Sequence, residues 1–340
     1  MMREKFRSML FVSLIFILTF VGCEQNTSLN TSKEEPVKPE KENEELLAHE
    51  HTIPKGGEYQ ICLNPNNENP DSFEYGKTLN SGEQFPVSPN RGDTYIYGDY
   101  IYTFQIHPLT YKGTESVEWC VRVRDKSQSE YGTILTSIDN HPVTMADSTF
   151  HDCTKIKKSP RIPDTITVML YTYAHCTSLE GVEKLPTNLS YMEGTFNQCY
   201  SLTDVPELPN NITSLYSVFG ECKSLEEAPS IPESVTNMQA AFHDCTSLTY
   251  APDIPVGVWN LKGTFANCSS LIKGPLIPHT VDNMEYTFQN CGSLRGTIEI
   301  NAQIQDIDNF EDCFSGVDMS KVTLTGSCPI LNELVNKLNK

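Results

Sequence analysis

The sequence predicts a β-rich repeat solenoid with a 23-residue period, preceded by a small antiparallel β domain. Three observations support this fold class. Cysteines recur at a fixed interval through the second half of the chain, an aromatic residue precedes each of them at a fixed distance, and the segment before the repeat alternates apolar and polar residues. A turn of this length is too short to bury its own apolar face, so successive turns must stack on one another.

The repeat is defined by columns of residues that keep one register. The cysteines are Cys153, Cys176, Cys199, Cys222, Cys245, Cys268 and Cys291, each 23 residues after the last, and Cys313 follows after 22. The aromatic residues three positions before them are Phe150, Tyr173, Phe196, Phe219, Phe242, Phe265, Phe288 and Phe310. Isoleucine or leucine stands three and nine positions after each of the first seven cysteines, and proline stands ten positions after six of them. These columns predict about eight stacked turns over 138–313.

Each turn is expected to carry one short strand. Positions seven and nine after the cysteine are mostly apolar and position eight is mostly polar, as in 228–232. Proline has no N–H to donate, so prolines at positions seven and ten should bracket a strand of about three or four residues. The rest of the turn would form an irregular or short helical wall.

The repeat unit resembles a known family. The segment AAFHDCTSLTYAPDIPVGV at 240–258 joins a Phe-x-x-Cys-x-x-Leu stretch to an Ile-Pro-x-x-Val stretch, a pattern that resembles the BspA-like, or Treponema-type, leucine-rich repeats. The resemblance covers about 140–313 and implies a leucine-rich repeat solenoid. It also implies a cell-surface protein of a host-associated bacterium, in some members an adhesin. This chain departs from the pattern by one inserted residue and a proline before the Ile-Pro.

The N-terminus predicts an exported lipoprotein. Three basic residues among the first seven precede an apolar run over 9–21, which is too short to cross a bilayer and indicates a signal peptide over 1–22. The Gly22-Cys23 ending resembles a bacterial lipobox, which implies cleavage before Cys23 and acylation of that residue (diacylglyceryl and palmitate). The alternative is an ordinary secretory signal with an incidental cysteine. The polar segment that completes 23–50 lacks aromatic residues and predicts a disordered tether between a membrane and the folded body.

Charge and composition exclude several functions. The formal net charge of −19 argues against nucleic-acid binding and against a polybasic contact with anionic lipid. The repeat cysteines are expected to be buried free thiols, since a ladder spreads them along a line and zinc needs ligands that converge. The motifs at His151-Asp152-Cys153 and His243-Asp244-Cys245 lie four turns apart. We therefore predict no enzyme, no cofactor, no metal site and a monomer.

The region 51–137 lacks the repeat and predicts a small antiparallel β domain. Its strongest signal is a hairpin over 95–102, two alternating runs joined by a Gly-Asp turn, which pairs Tyr97 with Tyr100 and Tyr95 with Tyr102. This row of four tyrosines is either a stacking platform for a glycan or a half-buried cross-strand ladder.

Two further features flank the repeat. Cys62 and Cys120 lie on the polar faces of predicted strands, and an exported compartment permits a disulfide between them. A C-terminal cap is expected over 314–340, with an amphipathic helix over 329–340 that covers the open end of the stack.

Position eight of the turns predicts an exposed binding stripe. Its members are Arg161, Lys184, Glu207, Ser230, Asp253, Leu276 and Glu299. The stripe starts basic, and Arg122 and Arg124 of the preceding domain extend its basic end, where an anionic partner or glycan could dock. The sequence thus predicts an adhesin-like protein of the cell envelope, lipid-anchored and surface-exposed, that binds a host or neighbouring-cell protein or glycan through its repeats. The alternative is a carbohydrate-binding lipoprotein that uses the tyrosine hairpin.

Overall fold

The computed structural model describes residues 78–80, 93–106, 117–138 and 141–338. All of them belong to one compact unit, Leu46–Lys340. The predicted signal peptide, Cys23, the tether and Cys62 lie outside the described residues. Within the described ranges no helix combines the length and the apolar character that crossing a bilayer requires.

The described elements are eight strands and one helix, together with two short 3₁₀ turns. The strands are β1 (Thr78–Asn80), β2 (Thr94–Tyr97), β3 (Tyr100–Ile106), β4 (Val117–Val123), β5 (Ser137–Ile138), β6 (His141–Met145), β7 (Gly296–Glu299) and β8 (Val322–Thr325). The helix is α1 (Leu331–Leu338), and the 3₁₀ turns are Ile307–Phe310 and Met319–Lys321.

Six strands form the sheet that precedes the repeat, in the order β1-β2-β3-β4-β6-β5. The β2–β3 hairpin pairs Tyr97 with Tyr100 and Tyr95 with Tyr102, which is the register that the sequence predicts. The sheet is mixed, because β1 runs parallel to β2 and β4 runs parallel to β6. The expectation of a purely antiparallel sheet is therefore wrong. That expectation rested on the hairpin, whose strands are joined by a tight turn. The β1–β2 and β4–β6 pairs are instead joined by longer connections.

The sheet and the repeat are continuous. Strand β6 lies inside the region predicted as repeat, yet it pairs with β4 of the region predicted as a separate domain. Its last residue, Met145, forms a parallel bridge with Val168, which bridges Tyr191 in the next turn. One hydrophobic core also runs from Tyr95 to Leu334. The sheet thus covers the open end of the first turn, so the apolar face of that turn is buried.

The turns of the repeat are joined by isolated parallel bridges. We name each turn by its cysteine and number positions from that residue. Bridges join residues 23 apart at positions +5 and +15, such as Glu227 to Tyr250 and Asn237 to Asn260, with one further bridge at position +9. The segment 228–232 forms no strand, so the expected position of the repeat strand is wrong.

The prolines explain where strands form. Proline stands at +10 in six turns and at +7 in five of them, and it cannot donate to a neighbouring turn, so pairing in this segment stops at +5 except for the single bridge at +9. In the Cys291 turn these positions hold Ile298 and Asn301. There the strand does form: β7 spans positions +5 to +8 and pairs in parallel with β8.

The wall that carries the aromatic residue and the cysteine has a regular backbone pattern. In the Cys245 turn, Ala240 and Asp244 have positive φ angles of 54° and 58°, and the equivalent residues recur in the other turns. Alternate amides then point to the next turn, as when Phe242 N–H donates to Thr264 O at 2.9 Å. Asn, Asp and His adopt this left-handed conformation more readily than most residues, which fits the polar residues found just before the cysteines.

The aromatic column forms a continuous buried stack. Ring centroids of successive members from Phe150 to Phe288 lie 5.1 to 5.9 Å apart, and their planes are within 13° of parallel. The thiols of the cysteine column are free and buried beside it. The predictions of a buried Phe242 and of buried ladder thiols are confirmed.

The last turn departs from the predicted register. Phe288 stacks on Phe314, at 5.5 Å, rather than on Phe310. Phe288 N–H donates to Cys313 O, whereas Phe265 N–H donates to Thr287 O, so Cys313 occupies the position that threonine holds in the preceding turn. The assignment of Cys313 to the cysteine ladder and of Phe310 to the aromatic column is therefore wrong. The physical reason is an insertion, since 26 residues rather than 23 separate the last two stacked rings.

The C-terminal segment packs on this last turn. Helix α1 lies within the range predicted for it and buries Leu334 against the core. Cys328 N–H donates to Ile300 O of the Cys291 turn, which fixes the chain just before the helix. The segment therefore covers the apolar end of the stack, as a terminal cap must.

Candidate binding surfaces

The tyrosine hairpin does not present a stacking platform. Tyr95, Tyr100 and Tyr102 are buried, and Tyr97 is half-buried against the core. Tyr100 Oη donates to Gly132 O at 2.7 Å, and burial raises its pKa well above the ordinary value. Rings enclosed in this way cannot offer a face to a glycan, so the glycan-stacking hypothesis for these residues is wrong. The alternative, a cross-strand aromatic ladder, describes them correctly.

Cys120 lies in a different setting from the one predicted. Its side chain is buried in a small cluster with Met145 and Val168, rather than on a polar strand face. Its thiol is bonded to no described cysteine, and burial raises its pKa to about 12. Cys62 lies outside the described residues, so the disulfide between Cys62 and Cys120 stays a prediction.

The predicted stripe is exposed along its whole length. The residues at position +8 are all exposed: Arg161, Lys184, Glu207, Ser230, Asp253, Leu276 and Glu299. The basic end, however, is partly neutralised. Lys184 Nζ lies 3.4 Å from Asp164 Oδ1. Lys157, a neighbouring basic residue at position +4 of the first turn, is paired as well, with its Nζ 3.1 Å from Glu180 Oε1.

The two arginines assigned to the basic end belong to β4 and the loop after it. Arg122 is half-buried near the Asp147 carboxyl; burial raises the pKa of that carboxyl to about 6, and the Arg122 charge offsets only part of the rise. Arg124 is exposed and donates through Nη1 to Gly98 O at 3.3 Å. Both arginines are thus engaged within the sheet and its junction with the first turn, which reduces what they can offer to a partner.

Four columns on the outside of the repeat, at positions +5, +8, +11 and +14, are exposed in most turns. In most turns these columns carry charged, small polar or glycine residues. One area differs. The exposed large hydrophobic residues of the described chain are Tyr250 (57% exposed), Val256 (61%), Trp259 (46%) and Leu276 (51%). They stand at +5, +11 and +14 of the Cys245 turn and at +8 of the Cys268 turn, one in each column. We call these four residues the hydrophobic band.

Backbone contacts fix the neighbours of the band. Tyr250 is bridged to Glu227 in the preceding turn and to Lys273 in the following one. Trp259 N–H donates to Thr236 O at 2.9 Å, and Trp259 O accepts from Asp282 N–H at 2.9 Å. The sequence pattern did not reveal the band because only the column at position +8 was compared across the turns. It emerges when each exposed column is compared across all turns.

The motif at His243-Asp244 forms an arrangement with a serine that sequence reasoning did not consider. His243 Nδ1 lies 3.1 Å from Asp244 Oδ2, and His243 Nε2 lies 3.5 Å from Ser217 Oγ. Ser217 has a positive φ of 54°, as a nucleophile on a tight turn can have. Acyl transfer would also need free N–H donors for the oxyanion. Every amide from 215 to 222 already donates a hydrogen bond within the repeat, so the arrangement fits packing between turns rather than hydrolysis.

The motif at His151-Asp152-Cys153 is an ion-pair cluster. Asp152 Oδ2 lies 2.7 Å from His151 Nδ1 and 3.7 Å from Lys126 Nζ, and Asp152 Oδ1 lies 3.3 Å from His175 Nδ1. The Cys153 thiol instead accepts from Tyr131 Oη, and burial raises its pKa. No group of three or more His, Cys, Asp or Glu side chains in the described part of the chain could hold a metal ion.

Comparison with known proteins identifies the repeat. A model of the BspA-type leucine-rich repeat region matches residues 143–272 and 230–336, in six copies. The T. pallidum leucine-rich repeat protein TpLRR is 20% identical, with a TM-score of 0.43 over 70% of this chain and 94% of that one. A leucine-rich repeat protein from Bacteroides ovatus is 18% identical, with a TM-score of 0.40 over 72% and 68% of the two chains. A leucine-rich cell surface protein from Faecalibacterium prausnitzii is 17% identical, with a TM-score of 0.28 over 74% and 98%. None of the curated proteins matches the sequence.

Proposed function

We propose that this chain, which belongs to the BspA-type leucine-rich repeat family, is an adhesin-like surface protein of a bacterium that binds a macromolecular partner through its repeat surface. The observation that carries the proposal is the alignment of exposed side chains. Parallel bridges hold equivalent residues of neighbouring turns side by side, as Glu227, Tyr250 and Lys273 are held. A partner therefore meets ordered columns on a rigid support, which lowers the entropy cost of binding.

The family also supports the proposed location, since BspA-type repeat proteins are typically bacterial surface proteins. Membrane anchoring through Cys23 remains part of the proposal. Replacing Cys23 by Ser should release the protein from the membrane fraction or leave an uncleaved precursor. Unchanged membrane partitioning together with an unchanged processed mass would contradict the lipid anchor.

We do not retain the alternative of a carbohydrate-binding lipoprotein that uses the hairpin, because three of its four tyrosines are buried. At the basic end of the position +8 stripe, one residue remains a strong candidate for binding an anionic partner. Lys184 already has a carboxylate neighbour. Arg161 is exposed and forms no ion pair with a described residue, so its charge is available to a phosphate, sulfate or carboxylate group of a partner.

Two experiments test the proposed function. Protease treatment of intact cells should remove the folded body if it faces outward, whereas a protein that faces inward is protected until the cells are broken. The purified full-length chain should bind immobilised epithelial matrix or mucin in a saturable way. Absence of binding to both surfaces, by a chain whose circular dichroism shows it to be folded, would contradict an adhesin-like role.

A further inference from the structure

We propose that the hydrophobic band, Tyr250, Val256, Trp259 and Leu276, is a docking site for a protein segment that carries both apolar and basic side chains. The proposal rests on the proposed binding role and adds the place and the partner class. Its first support is the distribution of exposed apolar residues. The four exposed columns at +5, +8, +11 and +14 each carry one large exposed hydrophobic residue, and all four residues lie in the Cys245 turn or the adjoining Cys268 turn. Residues scattered by chance would not gather at one level of the stack.

The second support is the spacing of these residues. Successive columns are three residues apart, which corresponds to at most about 10 Å of extended chain. Leu276 lies one turn away from the other three residues, and neighbouring turns pair at about 4.8 Å. The band therefore follows the outside of one level of the repeat over at most about 30 Å. That length suits an extended segment of a partner laid across several columns.

The third support is the composition of the band. Tyrosine and tryptophan are the residues most often found at the energetic centres of protein interfaces. Val256 and Leu276 are aliphatic and add apolar area without a flat face, which suits the side chains of a protein better than the ring of a sugar. Exposing four such side chains to water has a free-energy cost that a partner would remove by covering them.

The fourth support is charge. The residues that flank the band in the same columns of neighbouring turns are Glu227, Lys273, Asp253, Glu299, Glu233, His279, Thr236 and Asp282. Five of these eight are carboxylates, all of them exposed, and none forms an ion pair with another described residue. A basic segment of a partner would form ion pairs with these carboxylates. A second copy of this chain, with its net charge of −19, would instead bring more negative charge to the same place.

The test uses the purified full-length chain and three synthetic peptides: alternating leucine and lysine, alternating leucine and glutamate, and alternating serine and lysine. The leucine–lysine peptide should bind at least about ten-fold more tightly than the other two, since it alone supplies both features. Equal binding of the serine–lysine peptide would mean that charge alone attracts the probe, and the proposal would then be wrong.

Paired variants locate the binding. Tyr250→Ser with Trp259→Ser should weaken leucine–lysine binding by about ten-fold or more. The matched control, Asp204→Ser with Thr213→Ser, changes the same two columns two turns earlier and should leave affinity within about two-fold. A second variant, Glu233→Lys with Asp282→Lys, removes the charge complementarity and should also weaken binding. Full affinity in both band variants would overturn the proposal.

Two other occupants have their own readouts. Binding to an oligosaccharide array that is lost in the Tyr250/Trp259 variant, without loss of peptide binding, would assign the band to glycans. A concentration-dependent dimer that this variant abolishes would assign it to self-association. Matrix binding that persists in the variant would reject the band while leaving the proposed function intact. If the wild-type chain binds the peptide but neither matrix nor mucin, the proposed function would be wrong and the band would still stand as a docking site.

Discussion

The Cys199 thiol donates a hydrogen bond to the backbone carbonyl of Tyr173 in the preceding turn, with Sγ and O 3.1 Å apart. The same bond recurs along the ladder, from Cys176 to Phe150 O through Cys291 to Phe265 O. Each of these carbonyls also accepts the N–H of the cysteine in its own turn, as Tyr173 O does from Cys176. Cysteine thus combines a small volume with a donor that reaches the neighbouring turn.

Removing one rung of this ladder should destabilise the repeat. Cys199→Ala removes the sulfur and the donor, and we expect a loss of about 1–3 kcal/mol in the free energy of unfolding, from a small cavity and one lost bond. Urea unfolding followed by circular dichroism measures it. The exposed residue Thr203 in the same turn provides the control, since Thr203→Ala should change little. Equal midpoints for both variants would show that the thiol bond contributes nothing.

Truncation of one ring in the aromatic stack should cost more. Phe242 is fully buried between Phe219 and Phe265, with centroids 5.3 and 5.9 Å away. Phe242→Ala should cost about 3–5 kcal/mol, and the loss should spread to adjacent turns, because repeats are stabilised by their neighbours. Hydrogen exchange should show faster exchange in the Cys222 and Cys268 turns than in the sheet. Exchange confined to the substituted turn would contradict this coupling.

The pKa of Asp147 predicts a pH effect on stability. Burial raises the pKa of this half-buried carboxyl to about 6, above its ordinary value of 3.8. A group whose pKa is raised by folding contributes stability at low pH and loses it as the pH rises through the folded pKa. Asp147→Asn should therefore be more stable than the wild type at pH 7.5, by on the order of 1 kcal/mol after solvent screening. Because Leu170 N–H donates to Asp147 Oδ1, an amide oxygen can keep that bond. Thermal unfolding of both proteins across the pH range measures their difference in stability, which should disappear towards pH 4. A difference that does not change with pH would contradict the raised pKa of Asp147.

Charge reversal tests the basic end of the stripe. Arg161→Glu combined with Lys184→Glu should reduce binding to mucin, with most of the loss coming from Arg161, because Lys184 is already engaged by Asp164. Binding to immobilised mucin at two salt concentrations measures the effect. Each single variant serves as the control for the other. If the folded double variant retains full binding, this end of the stripe plays no part.

The buried columns could be predicted from the sequence because a position inside the stack admits few residue types. Phe242 and Cys245 recur in register for that reason, and the family resemblance rests on the same columns. The last turn could not be predicted, since Phe310 keeps the expected distance from Cys313 although the insertion moves Phe314 into the stack. The repeat strands were misplaced because the prolines were expected to bracket a strand at 228–232, whereas the N–H donors that they lack prevent pairing in this segment.

The surface was harder to predict than the core. Exposure at position +8 followed from the pattern, and all seven residues are exposed. The neutralisation of Lys184 by Asp164 depends on a contact between side chains 20 residues apart, which a column-by-column comparison does not consider. The hairpin tyrosines were ambiguous because alternation places them on one face without saying whether that face meets water or the core.

Site-specific photo-crosslinking tests binding through the repeat surface most directly. A benzophenone amino acid is placed singly at Val256 in the band, at Thr213 in an earlier turn and at Glu130 beside the sheet, all three exposed. Each full-length protein is then irradiated on epithelial matrix. We predict crosslinked matrix protein from position 256, little from 213 and none from 130. Crosslinks from position 130 alone, with the matrix still bound, would contradict the account.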